Sequence, residues 1–302
     1  MINMHRAVST TREALKVYAP KVVLDVVRSI KFRAEYNLVS GRPMTLSEEK
    51  SVVFFTTIKC ASTYTGRAIR YLVQNCVDLR QVDLEHFVHA CTDRDWPEYL
   101  HEHRETAFTP NGIFYGPFRR MFALPDLERY RIILMLRDPR DVIVSNYFSR
   151  AFSHPTPSNK ARAKTFLKQR SDLQGRDINE YATGPYADQM LSIYSEYCEQ
   201  LVRARDVQVL KYELFVEDFD AWLAQFCDCL QLQPSDTHIQ ALRDLRSAPA
   251  WLSGKKSTKE NKYQHLRKAT PGDFREKLSL ESQALLNEKF ANVLKTLNYE
   301  LT

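Results

Sequence analysis

The chain has 302 residues, 44% hydrophobic and 26% charged, a composition that supports a sizeable core and excludes disordered and fibrous architectures. Only 8 residues are glycine, too few for a collagen, a glycine-rich linker or a repeated glycine fingerprint. With 43 basic against 37 acidic residues, the net charge of +6 favours anionic partners without choosing among nucleotide, nucleic acid and lipid.

In chain order, residues 12–36 read as a helix with apolar positions Val17, Val22, Val23, Val26, Val27 and Ile30, ended before Gly41-Arg42-Pro43. Packing against the core is the first expectation for it, and a basic amphipathic helix lying on a membrane is the alternative. Ser51–Thr56 is a short β-branched and aromatic run of the kind that forms a buried strand. A loop follows, then a helix over Thr63–Cys76 with Ile69, Leu72, Val73 and Cys76 on one face.

Further strands are predicted at Gly112–Tyr115, Arg131–Leu136 and Val207–Tyr212, with helical patterns between them. Strands interleaved with helices imply parallel βαβ units, whose ligands sit beyond the carboxyl ends of the strands. The expected fold class is therefore α/β: a helical extension over 1–50, then one domain over 51–302 with a parallel sheet of about four to five strands flanked by helices. Phe152–Pro185 is polar, basic and poor in apolar residues. It reads either as a lid over the acceptor side of the site, within 150–190, or as a solvated insertion. Ser253–Lys259 is a basic loop.

The six cysteines, Cys60, Cys76, Cys91, Cys198, Cys227 and Cys229, contain no C-x-x-C pair, so neither a zinc ribbon nor a small disulfide scaffold is indicated. A reducing, cytoplasmic setting is the expectation. The polar stretch Met1–Thr11 has no apolar signal region, and no membrane span is expected.

Three segments carry candidate chemistry. The first, Thr57-Ile58-Lys59-Cys60-Ala61-Ser62-Thr63-Tyr64, leaves a buried strand and enters a helix. That junction aims backbone amides and a helix dipole at one spot, a setting that suits phosphate or sulfate. Ser62 and Thr63 add hydroxyls, and Lys59 adds a compact cation able to follow charge onto a leaving oxygen. A capped, solvated helix start is the plain alternative. No G-x-x-x-x-G-K-[ST] is present, which disfavours an ATP-type cradle.

The second segment, Arg137-Asp138-Pro139-Arg140-Asp141 through Ser145 and Tyr147, is another strand-to-helix junction, with Asp138 as cap and Pro139 at the first helical position. Arg137 at the strand tip and Ser145 two turns into the helix can bracket one phosphate. An Arg137–Asp141 ion pair with an incidental serine is the alternative, and Asp138 as a Walker-B-like acid keeps an NTPase reading open. The third segment, His265-Leu266-Arg267-Lys268-Ala269-Thr270-Pro271-Gly272-Asp273-Phe274, joins two cations to a tight turn. It is either a solvated surface or a clamp on an anion.

In this order and spacing, the three segments resemble the motifs of the PAPS-dependent sulfotransferase superfamily, PAPS being 3′-phosphoadenosine 5′-phosphosulfate. Ile58–Tyr64 is similar to P-K-x-G-[ST]-[ST]-[WY], Arg137–Tyr147 to R-[DN]-P-x-D-x-x-x-S-x-Y, and Arg267–Phe274 to R-K-G-x-x-G-D-W. Leu210-Lys211-Tyr212-Glu213 is similar to the family's strand ending in Y-E-D, so the likeness extends over Val52–Tyr299. Ile58 stands where proline is usual, and Ala61 and Ala269 where glycines let the backbone approach the nucleotide. A methyl group is tolerated there only outside glycine-only dihedrals.

The resemblance implies a P-loop-like fold and transfer of a sulfuryl group from PAPS, with PAP as product and no metal required. The implied acceptor is a hydroxyl or amine on a small molecule, a sugar or a lipid head group, with no nucleic-acid partner. It implies that Lys59 contacts the bridging oxygen and that Cys60, Ala61, Ser62 and Thr63 hold the 5′-phosphosulfate. Arg137, Ser145, Arg267, Lys268 and the Ala269 amide would hold the 3′-phosphate, with Tyr64 and Tyr212 stacking on adenine. For the general base it points toward Asp83, Glu85, His86 and His89, or the Tyr115 region, with a solvated helix face as the plain reading of the first four. A non-catalytic protein binding anionic polymers through Lys255, Lys256, Lys259 and Lys262 is a third possibility.

Overall fold

Val52–Thr56 is buried along its whole length, as a β-branched and aromatic run must be when both faces of its sheet are covered. The computed structural model, which describes residues 21–124, 126–157, 160–205, 207–247 and 270–301, makes it the central strand, β1, of a five-stranded parallel sheet. The other strands are β2 (Arg80–Val82), β3 (Ile113–Phe118), β4 (Arg131–Leu136) and β5 (Val209–Lys211), in the order β2-β3-β1-β4-β5. Val52 lies opposite Phe114 of β3 on one side and Arg131 of β4 on the other. The α/β class and the strand count agree with expectation.

The helices, in chain order, are α1 (Lys21–Lys31), α2 (Arg33–Val39), α3 (Ser62–Asn75), α4 (Leu84–Cys91), α5 (Trp96–Glu102), α6 (Arg104–Ala107), α7 (Pro139–Phe148), α8 (Lys160–Gln174), α9 (Ile178–Thr183) and α10 (Pro185–Tyr197). Beyond β5 come α11 (Tyr212–Glu217), α12 (Phe219–Cys229), α13 (Asp236–Ser247), α14 (Asp273–Lys277), α15 (Leu280–Lys289) and α16 (Ala291–Thr296). Alternate strand residues feed two cores, as the two-residue side-chain period requires. Val53, Phe55, Tyr115, Leu134 and Leu136 pack with α4, α5, α7, α10 and the C-terminal helices. Val52, Phe54, Phe114, Ile133 and Met135 pack with α3, α12 and α13. α7 runs through the first core, with Val142, Ile143 and Val144 buried in succession.

Three details differ from the sequence reading. β2 has only three residues at the sheet edge, exposed at Arg80 and buried at Val82, so no apolar periodicity marks it. β3 runs past Tyr115 to Phe118 through Gly116, where φ is 115° and a Cβ would fall 2.6 Å from the Phe54 carbonyl. The N-terminal helix breaks at Phe32, and it is Phe32 that packs, edge-on against His86 and Phe87. Before it, Val23, Val26, Val27 and Ile30 stay 49–72% exposed, so core packing does not account for these four; residues 12–20 of the expected helix, with Val17, lie outside the described residues.

Candidate functional site

At the carboxyl end of β1 the chain turns through Thr57–Ala61 into α3. Lys59 (φ 66°) and Ala61 (φ 51°) both take the left-handed conformation, flanking Cys60. This alternation turns successive amides toward a common point. Ala61 replaces an expected glycine at a backbone cost of about 1–2 kcal/mol, in a region an alanine can still enter. It is also the residue that opens α3, and no side chain caps the helix there. The first-turn amides are thus placed for an anion. Lys59 and Ser62 are half-buried and Thr63 is exposed above them.

Beneath the loop, Cys60 is fully buried with Sγ 3.0 Å from Thr57 Oγ1. Burial pushes its thiol up to about 11, so it packs as a neutral group. Thr57 Oγ1 in turn lies 3.4 Å from Tyr194 Oη, and Tyr197 Oη donates to the Thr56 carbonyl at 2.7 Å. Two tyrosines of α10 therefore fasten the end of β1, a contact across more than 130 residues that no local motif announces.

The second corner follows β4. Arg137 is 5% exposed, with its guanidinium 4.4 Å from the Tyr212 ring centroid. Nη2 donates to Asp141 Oδ2 at 3.3 Å, and Nη1 reaches the Lys59 carbonyl at 3.5 Å. Nε is buried without a partner among the described residues. Burial works against this charge, but Tyr212, Asp141 and Glu213 around it hold the pKa above the ordinary arginine value. Tyr194 also donates to the Arg137 carbonyl, at 2.5 Å. The first and second segments therefore meet at one place, and the Arg137–Asp141 pair is present alongside that meeting.

Asp138 caps α7 by accepting from the Arg140 amide at 2.9 Å, and both of its oxygens are taken by the Arg140 guanidinium at 3.0 and 2.7 Å. This leaves the Walker-B reading without a free carboxylate. Glu213, in the first turn of α11, accepts from the Asp138 amide and from Tyr299 Oη, both at 2.9 Å. Burial raises its pKa. Ser145 sits two turns into α7, half-buried.

Arg267, Lys268 and Ala269 lie outside the described residues, as do Lys255, Lys256, Lys259 and Lys262. The turn after Ala269 is described, and the second corner holds it. The fully buried Asp141 carboxylate accepts from the Gly272 amide at 2.8 Å and the Phe274 amide at 3.0 Å. Phe274 is buried with the Arg140 guanidinium 4.2 Å from its ring centroid.

The two tyrosines expected to stack on adenine are both buried. Tyr64 has no exposed surface: Phe215, Phe219 and Trp222 surround its ring, and its hydroxyl donates to the Leu242 carbonyl at 3.1 Å. It is a core residue because α3 turns that face into the second core. Tyr212 is 6% exposed, and Arg137 already covers one face.

The base candidates around α4 are engaged. Asp83 caps the helix, accepting from the His86 amide at 2.9 Å. Glu85 is 5% exposed and bound by Arg119 through Nη1 at 2.8 Å and the amide at 2.9 Å. His86 packs against Phe32, His89 is exposed, and the Tyr115 hydroxyl accepts from the Thr109 amide at 2.7 Å. Among the described residues, the histidine in the field of Lys59 is His154, in the 150–190 excursion. Burial and then Lys59, Arg170 and Arg150 lower its pKa. Its only signal in the sequence is its place just after the second segment.

A shallow cavity of about 450 Å³ opens at the opposite, amino edge of the sheet, lined among others by Ser47, Arg70, Asp78 and Arg80. It is remote from both corners, and ligands of parallel sheets bind at the carboxyl edge. Among the described residues, no cluster of His, Cys, Asp and Glu is placed to hold a metal ion. Among them also, no helix is long and apolar enough to cross a membrane.

No curated protein matches the chain. Among solved structures, the mouse sulfotransferase SULT7A1 complexed with PAP is 15% identical, with 86% of this chain and 88% of that chain covered and a TM-score of 0.49. Retinol dehydratase in a complex with retinol and PAP is also 15% identical, with 87% and 85% covered and a TM-score of 0.47. A family model described as a sulfotransferase domain matches residues 123–298, a span that contains the second corner and the turn fastened to it but begins after the Lys59 loop. That match takes in more than half of the chain, which therefore belongs to the sulfotransferase domain family.

Proposed function

We propose that this sulfotransferase takes its sulfuryl group from PAPS and passes it to a hydroxyl or amine of a small-molecule, sugar or lipid head-group acceptor. In this reading the amides of Cys60–Thr63 hold the 5′-phosphosulfate. Lys59 stabilises the negative charge that grows on the bridging oxygen as the S–O bond to phosphate breaks. Arg137, Ser145, Arg267, Lys268 and the Ala269 amide hold the 3′-phosphate, and PAP leaves as the product. Residues 150–190 form the acceptor side. There His154 takes the acceptor proton as the new bond to sulfur forms, because burial and then Lys59, Arg170 and Arg150 hold its imidazole in the neutral form that can accept one.

The observation that supports this reading is the position of Arg137. Its buried guanidinium bridges toward the Lys59 carbonyl and keeps Nε unpartnered among the described residues. One anionic ligand with two phosphate-like ends would satisfy both corners at once.

Incubation with ³⁵S-labelled PAPS and a panel of hydroxyl and amine acceptors tests it. Label is expected to move to at least one acceptor, and to stay on the donor with Lys59→Ala. Transfer that is indifferent to Lys59 would overturn the assigned role, and transfer from no sulfuryl donor but an aryl sulfate would overturn the choice of PAPS.

A further inference from the structure

Half of the exposed large hydrophobic side chains among the described residues belong to one helix, α1: Val23, Val26, Val27 and Ile30, at 49%, 52%, 55% and 72% exposure. At about 100° per residue they form one stripe roughly 100° wide. Residues 21–33 carry four basic side chains, Lys21, Arg28, Lys31 and Arg33, against a single acid, Asp25. That acid is paired with Arg28 at 3.4 Å, within the helix. Lys31 and Arg33 are exposed at the end of the stripe, where the chain turns into α2 and joins the body through Phe32.

The sulfuryl-transfer site uses none of this. The corners lie at the carboxyl edge of the sheet, on β1 and β4, whereas α1 meets the body through α2. A cationic apolar stripe is complementary to an anionic lipid surface, whose headgroups attract the lysines and arginines while the acyl boundary accepts the aliphatic side chains. A second copy of this chain fits less well, because pairing two such faces would bring like charges together. The described residues of α1, Lys21–Lys31, are too few to span a bilayer.

We propose that α1 is a membrane-surface docking element. Val23, Val26, Val27 and Ile30 enter the boundary of an anionic bilayer, with Lys31 and Arg33 at the headgroup level. The sulfotransferase domain is thereby held at a lipid surface.

Co-sedimentation of the full chain with two kinds of vesicle tests this: phosphatidylcholine alone, and phosphatidylcholine with a third of phosphatidylserine. Binding is expected to the anionic vesicles, to weaken as salt is raised, and to drop about tenfold or more in V26D/I30D. K31Q/R33Q is expected to lose several-fold on anionic vesicles while leaving the stripe intact. Because Val26 and Ile30 are exposed, V26D/I30D should keep the wild-type melting temperature and circular dichroism. Absence of binding to anionic vesicles, or binding that ignores V26D/I30D, would overturn the proposal. A dimer seen by light scattering and abolished by V26D/I30D, without vesicle binding, would assign the face to a second copy and overturn it equally.

Discussion

The two corners of the site are built by opposite means. The one after β4 is held by buried side chains: Asp141 binds Arg137 and the amides of Gly272 and Phe274, while Asp138 and Arg140 pair beside it. The one after β1 takes its shape from backbone conformation, with left-handed Lys59 and Ala61 and an uncapped helix start; Cys60 is buried beneath it while Lys59, Ser62 and Thr63 keep exposed surface. The difference separates folding from chemistry. Buried charge networks are costly to break, whereas a loop of half-exposed residues can lose a side chain and keep its shape.

Substitutions at the two corners should therefore diverge. Asp141→Ala leaves Arg137 buried with its carboxylate partner gone and two amides unsatisfied, and is expected to destabilise the fold by about 3–5 kcal/mol in denaturant unfolding. A loss under about 1 kcal/mol would mean that the network is not structural. Lys59→Ala should do the reverse, lowering kcat by roughly 10²–10³ with an unchanged unfolding midpoint. Equal losses in kcat and donor affinity would contradict its assignment to the leaving oxygen.

His154→Asn should reduce kcat by about a hundredfold. Since the folded imidazole is held below its ordinary value of 6.5, the wild-type rate should stay flat down to that pH and fall only below it, as the ring protonates. The variant should lack that acid limb, and an identical limb in both proteins would move the base elsewhere. The smallest effect is expected from Ala61→Gly. Relief of the left-handed conformation should raise stability by about 1 kcal/mol and tighten donor binding slightly; a destabilised variant would show that the methyl group packs usefully.

How much of this is legible in sequence follows from the range of the forces involved. Ser51–Thr56 and Arg131–Leu136 announce themselves because burial on both faces demands unbroken apolar runs. The corners are readable as strand-to-helix junctions, and the Arg137–Asp141 pair follows from helical spacing. Tyr194, Tyr197 and Glu213 are not readable as site scaffolding, since each acts across a large sequence separation through one hydroxyl or carboxylate. Tyr64 matches a motif position yet packs as core, because helix phase and not residue type sets which way it faces. The stripe on α1 misleads for a related reason. Periodicity shows that a face is apolar without showing what covers it.

Titration calorimetry with 3′-phosphoadenosine 5′-phosphate and with 5′-AMP, which lacks only the 3′-phosphate, tests most directly whether the two corners hold one nucleotide by two anionic ends. The 3′-phosphorylated nucleotide should bind at least about a hundredfold more tightly, as expected for two charge-assisted contacts at Arg137 and its neighbours. Equal affinity for the two would contradict the account.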